Sequence, residues 1–337
     1  MSTAVPGLAL EAELCDQVAC LTGKLRAVCE HALQGGRRIR SLLLLGCAEV
    51  CSDRAILAAV SVEMLHAATL LQDDIFDAGI LRRGRPASHV KFGKASTILA
   101  SDWLLIRALE LASEVDIRFF RALSAAARSM VQAEAQELVP TVCDSMEAAE
   151  RQGCSIANGK TGALFGAAVL GAAVLRDMPA DTMRQWHAFG TSAGWTYQLI
   201  DDCIDLYQPE IIAGKDVGHD LPAGCMTVPV LLGISWLRQC GHEVSLEDLQ
   251  RSENSYKLEQ LREAVSSSNV RLQTQRIIAE RFAAHERRAR LYGLPQAAIS
   301  GFIAHLQQHV SRCFPKQSKS ASSLAPMLEP DCLRPRT

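Results

Sequence analysis

Two acidic clusters of one pattern, Asp73, Asp74 and Asp77 in DDIFD and Asp201, Asp202 and Asp205 in DDCID, interrupt apolar stretches with helical spacing. On a helix the first and last Asp of each cluster are four residues apart, so their carboxylates leave one face about one turn apart. Each cluster is half of a cation site. If the two helices face one another across a cavity, several carboxylates converge, and neither cluster contains a basic residue to neutralise them. A small divalent cation and a polyanionic substrate must then do so. Mg²⁺ suits the role because it prefers hard oxygen ligands, keeps waters, and is usually bound by a few carboxylates plus substrate phosphates.

The apolar pattern around the clusters is helical almost throughout. Over 54–77, Ile56, Val60, Met64, Ala68, Leu71 and Ile75 recur at spacings of three and four behind the capping candidates Ser52 and Asp53. That predicts a long core helix ending in the first cluster, with His66, Asp73 and Asp77 near one face. Similar patterns cover 97–113, 119–138 and 183–206, strand signals are scarce, and Pro and Gly gather between the helical runs. The expectation is an all-α, single-domain bundle of mostly antiparallel helices around a central cavity over 1–314, followed by a disordered tail over 315–337 rich in Ser, Lys and Pro.

Cations that a phosphate would need stand just outside the clusters. Arg82 and Arg83 follow the first cluster in AGILRRGRP, where Gly79, Gly84 and Pro86 read as a loop; Arg37, Arg38 and Arg40 follow a Gly pair in QGGRRIR. Lys215 lies between Gly214 and Gly218 after the second cluster. Arginine forks bind phosphate oxygens in pairs and lysine acts as a point charge. Each basic group alone reads as a solvated surface; acidic half-sites flanked by basic Gly loops together predict a diphosphate substrate.

Four segments in this order, GGRRIR, LHAATLLQDDIFDAGILRRG, NGKTGALF and TYQLIDDCIDLYQPEIIAGKDVGHDL, resemble the trans-isoprenyl diphosphate synthases of the polyprenyl synthetase family. The resemblance implies the isoprenoid synthase fold and condensation of isopentenyl diphosphate with an allylic diphosphate. It implies that Asp73, Asp74, Asp77, Asp201, Asp202 and Asp205 serve a site of three Mg²⁺ ions. By the same resemblance, Arg82, Lys160, Gln198 and Lys215 contact the allylic diphosphate, and Lys160, Thr161 and Gln198 assist the reaction. Gly36, Arg37, Arg40, His66 and Arg83 would hold isopentenyl diphosphate. Ala68 and Thr69, upstream of the first cluster, are small where farnesyl synthases of the family carry an aromatic floor, which implies a product of C20 or longer.

The pattern is departed from at three positions. Arg37 stands where Lys is usual, which keeps the charge and changes the geometry. Ser41 replaces a Pro and is expected to remove only a local backbone restriction. Cys225 stands where a Lys is common, taking one cation from the allylic shell. That last departure mildly favours a non-catalytic subunit of a heteromeric synthase, while the intact aspartates oppose it. A terpene cyclase also ionises prenyl diphosphates, but it needs no second diphosphate shell.

Composition supports this reading. The chain has 337 residues, 48% of them hydrophobic, enough for a large core. A net charge of −2 gives no general attraction for nucleic acid or an anionic membrane. The 12 cysteines form no CxxC and, as at Cys47, Cys143 and Cys240, stand mostly in apolar contexts, so buried free thiols in a reducing compartment are expected. The start, from Met1 to Leu10, lacks the basic residues and apolar run of a signal peptide, and a cytoplasmic homodimer is expected. The uncharged run 161–175, with Gly162 and Gly166 at GxxxG spacing, is too short to span a bilayer and reads as a packed helix. Gly159, Lys160 and Thr161 imitate the end of a phosphate loop, but Gly153 is one residue too far for that motif and no strand precedes it. Trp103, Trp186 and Trp195 read as core or interface residues.

Overall fold

The computed structural model describes residues 4–139, 143–208, 218, 221–242, 244 and 255–314, so Lys215 and the tail beyond 314 lie outside the described residues. Helices α1 (Ala4–Ala19), α2 (Gly23–Leu33), α3 (Ile39–Ala48) and α4 (Asp53–Phe76) come first. A two-stranded antiparallel hairpin, β1 (Leu81–Arg82) and β2 (Arg85–Pro86), and the short α5 (Ser88–Phe92) lead into α6 (Lys94–Val115) and α7 (Ile117–Leu138). Then α8 (Met146–Ala157) continues through a π-helical turn, Asn158–Gly162, into α9 (Ala163–Leu175), and α10 (Ala180–Tyr207) follows. The remaining described helices are α11 (Val228–Gln239), α12 (Ser255–Ser266), α13 (Ser268–Leu291) and α14 (Gln296–Cys313).

The helices expected from periodicity are α4, α6, α7 and α10, each beginning up to three residues earlier than the apolar pattern. Their starts have local causes. The Ser52 hydroxyl accepts from the Ala55 amide at α4, and the Asp116 carboxylate accepts from the Arg118 amide at α7. Sequence reading leaves 79–86 as a loop, whereas these residues form the hairpin. Arg83 and Gly84 both take positive φ (54° and 69°), the turn whose twist matches two antiparallel strands. That tight reversal turns Arg82 back to Asp74 of α4 and Arg83 to the Ala32 and Gln34 carbonyls at the end of α2.

Helix α9 is buried on nearly every side, packing on α3, α7 and α10. Its closest approach is to α10. A Cβ added at Gly194 would come 2.8 Å from the Gly162 Cα, and one at Gly190 would come 2.5 Å from the Phe165 carbonyl oxygen. The GxxxG spacing is therefore a close-packing device between two core helices, as expected. The length argument made for it does not hold, because α8, the π turn and α9 form one helical stretch. That stretch, Met146–Leu175, and Asp53–Phe76 are long and apolar enough to cross a membrane by length and composition; 67% and 72% of their apolar windows are buried within the protein. Packing in the bundle accounts for their apolarity. A second, smaller core joins α11 and α12 to Cys143, Ala149 and Leu221.

The cysteine expectation holds in part. Among the described residues Cys29, Cys47, Cys143, Cys203 and Cys313 are buried, but Cys15, Cys20, Cys51 and Cys240 are exposed. Cys143 lies outside any helix, and Cys240 sits at the solvated end of α11. Trp186 is buried, its indole N–H donating to the Tyr292 carbonyl at 2.9 Å.

Candidate active site

A cavity of about 590 Å³ opens between α4, α7, α8 and α10. Helix α4 lines it with His66, Thr69, Asp73, Asp74 and Asp77, one face of the helix. Helix α10 contributes Gln198, Asp201, Asp202 and Asp205, and the π turn contributes Lys160 and Thr161. Arg82 and Arg83 enter from the hairpin, and Arg37, Arg38 and Arg40 from the segment opening α3. The two acidic clusters thus share one cavity with the cations that sequence placed beside them.

Two expected site residues do not line it. Ala68 is buried on the α6 side of α4, where the Ser101 hydroxyl donates to its carbonyl at 2.9 Å. Of the adjacent pair Ala68 and Thr69, only Thr69 lines the cavity. Gly36 sits behind the wall: a Cβ there would come 2.8 Å from the Arg38 guanidinium and 3.2 Å from that of Arg83. Its missing side chain makes room for the arginines.

At the acidic end the cations are already held by carboxylates. Arg82 Nε donates to Asp74 Oδ1 at 2.8 Å, and Asp74 is buried. Lys160 Nζ lies 2.5 Å from Glu137 and 3.1 Å from Glu134, both on α7. Burial opposes the Lys160 charge, but Glu137, Asp73 and Glu134 outweigh it and raise the lysine pKa. Burial pushes the Asp73 carboxyl up to about 7, with Glu134 and Asp77 adding to the effect and Lys160 and Arg82 opposing it. Thr161 Oγ1 donates to Gln198 Oε1 at 2.6 Å, and Gln198 Nε2 donates to Asp202 Oδ1 at 2.9 Å, which fixes which way the amide points. The backbone amide of Gly218 donates to Asp205 Oδ1 at 3.1 Å.

Among the described residues no group of three or more His, Cys, Asp or Glu stands ready to hold a metal ion alone. The six aspartates of the two clusters nonetheless fit a hard divalent cation. All six line the cavity, and such ions take their remaining ligands from phosphate and water.

At the other end the cations are held differently. Arg40 is buried and bonded to His66 Nε2 at 3.1 Å, its guanidinium 4.7 Å from the centroid of Phe165 and 5.5 Å from that of Tyr197. Its Nε is buried with no hydrogen-bond partner. Burial lowers the Arg40 pKa, and burial together with Arg40 and Arg83 holds His66 well below its usual range. Arg37 Nη1 meets His309 Nε2 of α14 at 2.9 Å; Arg83 Nη1 donates to the carbonyls of Ala32 and Gln34 at 3.2 and 3.0 Å. Arg38 is the exception, paired with Glu11 at 2.7 Å and with buried Glu63 at 3.2 Å. Ser41 does more than relieve a backbone restriction: its hydroxyl lies 2.9 Å from Glu63 Oε1 and 2.8 Å from the Ala59 carbonyl, fixing the carboxylate that holds Arg38.

A match to the polyprenyl synthetase family model spans residues 22–267, which include both acidic clusters and both arginine loops. The chain belongs to the polyprenyl synthetase family. It is 33% identical over 204 residues to the geranylgeranyl diphosphate synthase of Methanosarcina mazei, covering 58% of this chain and 63% of that one. It is 30% identical over 201 residues to the octaprenyl diphosphate synthase of Haemophilus influenzae, covering 58% and 60%. The chain thus spans slightly under two thirds of those relatives' length. A crystal structure of a polyprenyl synthase from Caulobacter crescentus, complexed with calcium and isoprenyl diphosphate, superposes with a TM-score of 0.79 at 25% identity, covering 91% of this chain and 94% of that one. The family's all-α isoprenoid synthase fold is the fold described above.

Three parts of this family member's site lie beyond the sequence reading. Glu134 and Glu137 were visible only as a pair three residues apart on an amphipathic helix, a spacing shared by any solvated face. The π turn that carries Lys160 and Thr161 leaves no pattern that distinguishes it from a regular helix, although such turns gather at functional sites. His309 is 272 residues from Arg37, and nothing local marks the pairing.

Proposed function

We propose that this protein is a trans-prenyltransferase that condenses isopentenyl diphosphate with an allylic diphosphate and releases pyrophosphate. The single observation that carries this reading is that one cavity gathers both aspartate clusters, with Arg82 and Lys160 held by carboxylates, and also Arg37, Arg40 and Arg83, held by neutral acceptors. A diphosphate that must leave needs metal; one that is only held needs cations. The named activities of the Methanosarcina and Haemophilus relatives support the reading, as does the isoprenyl diphosphate bound in the Caulobacter structure.

Asp73, Asp74, Asp77, Asp201, Asp202 and Asp205 would hold Mg²⁺, which when bound supplies the positive charge that draws electrons from the breaking C–O bond. Lys160 and Arg82 neutralise what remains of the departing diphosphate's charge. Thr161 and Gln198 form a dipole chain at the cavity wall, and the fixed Gln198 amide oxygen can face the allylic cation without reorganising. Arg37, Arg40 and Arg83 hold isopentenyl diphosphate so that its double bond meets that cation, and positioning supplies much of the acceleration. A proton then leaves the new bond's neighbouring carbon, with the released pyrophosphate as the base.

The product would be C20 or longer, since the cavity face of α4 offers Thr69 and Leu70, and no Phe, Tyr or Trp, above His66. A homodimer fits the exposed stripe of Ile98, Leu99 and Ile106 along α6, an apolar flank that a second copy would cover. Incubating the purified protein and Mg²⁺ with labelled isopentenyl diphosphate and each allylic primer in turn tests the activity. Elongated prenyl diphosphates are the expected product; cyclised product from one substrate alone, or none with any primer, overturns the proposal.

A further inference from the structure

Behind the arginine end of the cavity, against Arg37, stands a residue that neither the motifs nor the proposed reaction accounts for. His309 lies near the end of α14, the last described helix, and is buried. Its Nε2 stands 2.9 Å from Arg37 Nη1. A guanidinium has only donors, so the arginine donates and the imidazole nitrogen accepts, with the ring proton on Nδ1. His305 packs edge-on against the same ring, centroids 5.1 Å apart, and burial with Arg37 nearby keeps His309 neutral, its pKa lowered to about 4.

A neutral acceptor does something a carboxylate cannot. It fixes the plane of the guanidinium while leaving the full positive charge for an incoming anion. Arg40 is treated the same way by His66, and Arg83 by two backbone carbonyls. A lysine in place of Arg37 would present a point charge without the fork, and could not as readily serve a histidine and a phosphate at once.

We infer that His309 is a positioning residue of the isopentenyl diphosphate subsite: the last described helix reaches across to orient Arg37 for a diphosphate without neutralising it. The inference rests on the proposed function for the identity of the ligand, and on the Arg37–His309 geometry for the role.

Inorganic diphosphate titrated into the metal-chelated full chain by calorimetry tests the role apart from the reaction. His309→Leu should weaken diphosphate binding about tenfold, and His309→Gln, which keeps an acceptor, should recover most of it. In an Arg37→Ala background His309→Leu should change nothing further, because its effect passes through the arginine. In turnover, His309→Leu should raise the KM for isopentenyl diphosphate about tenfold while moving the allylic KM less than twofold. Full diphosphate affinity in His309→Leu, or an equal loss with and without Arg37, overturns the inference. Coupled diphosphate binding in a protein that performs no condensation would leave the positioning role standing and overturn only the proposed function.

Discussion

The two ends of the cavity keep their cations in opposite ways. At the acidic end every described cation is bonded to a carboxylate, Arg82 to Asp74 and Lys160 to Glu134 and Glu137. At the arginine end Arg37, Arg40 and Arg83 are bonded to imidazoles and carbonyls, and only Arg38 among the arginines of that end is paired with carboxylates, Glu11 and Glu63. The difference follows from what each end must do. A leaving diphosphate gains charge during reaction, and carboxylates gather the metal ions that answer it. A diphosphate that is only held needs standing positive charge, and a neutral acceptor orients an arginine without spending that charge.

The largest expected effect tests the acidic half of this contrast. Asp73→Asn or Asp201→Asn removes one anionic donor from the face that would hold Mg²⁺, so turnover should fall by on the order of a thousandfold or more with the helical circular dichroism unchanged. Parent-like turnover in either variant, or full parent activity in excess chelator, breaks the assignment.

The arginine half makes a prediction with two signs. Arg40 is a buried guanidinium whose Nε has no hydrogen-bond partner and whose Nη1 is bonded to the His66 imidazole. Arg40→Met should therefore raise the KM for isopentenyl diphosphate on the order of a hundredfold and, in the ligand-free protein, increase stability by about 1 kcal/mol, roughly 2 °C in Tm. The stacking on Phe165 and Tyr197 lost with the guanidinium is the smaller quantity here. A variant that melts earlier yet binds isopentenyl diphosphate normally would mean that the arginine is structural and that the two ends do not differ as described.

The floor of the acidic end gives a third test, read in product length. Thr69→Phe places a ring on the cavity face, and the main product should shorten by about one isoprene unit or more. Ala68→Phe instead forces a ring into the α4–α6 contact and should cost about 1 to 3 kcal/mol of stability with the product length held. Unfolding by denaturant and product chromatography separate the two outcomes; a shortened product from Ala68→Phe alone would reverse this placement of α4.

Much of this arrangement is legible in the sequence. Period-four apolar residues on 54–77 predict α4 to within one residue at each end, and the same pattern fixes which face carries Asp73 and Asp77. Motif order was enough to bring both acidic clusters and both arginine loops to one cavity. The misses share a physical cause. Ala68 and Thr69 sit side by side in sequence, and choosing between them requires the rotation of α4 against α6, which packing decides. The roles of Ser41 and His309 depend on partners 22 and 272 residues away, and a single sequence does not encode such distances in any local period. Likewise Cys240 follows an apolar helical run but is exposed because α11 ends there, among Arg238, Gln239, Gly241 and His242.

The smallest expected effect concerns how firmly the acidic end grips its own lysine. Lys160 is shared by two carboxylates, yet the proposed reaction needs its charge on the departing diphosphate, so substrate must compete with Glu137 and Glu134 for it. Glu137 is the closer and the more exposed of the pair, and its contact is the one that substrate can displace. Removing its charge in Glu137→Gln leaves Glu134 to orient the lysine and frees more of its field for the allylic diphosphate. The allylic KM should fall about threefold, the size of one partly screened ion pair of roughly 0.6 kcal/mol, while the KM for isopentenyl diphosphate stays as it is. Steady-state kinetics with one substrate saturating and the other varied resolves a change of that size. A rise in the allylic KM would mean that Glu137 helps to build the diphosphate site, and the acidic end would then hold its lysine in readiness for substrate, as the arginine end holds Arg37, Arg40 and Arg83.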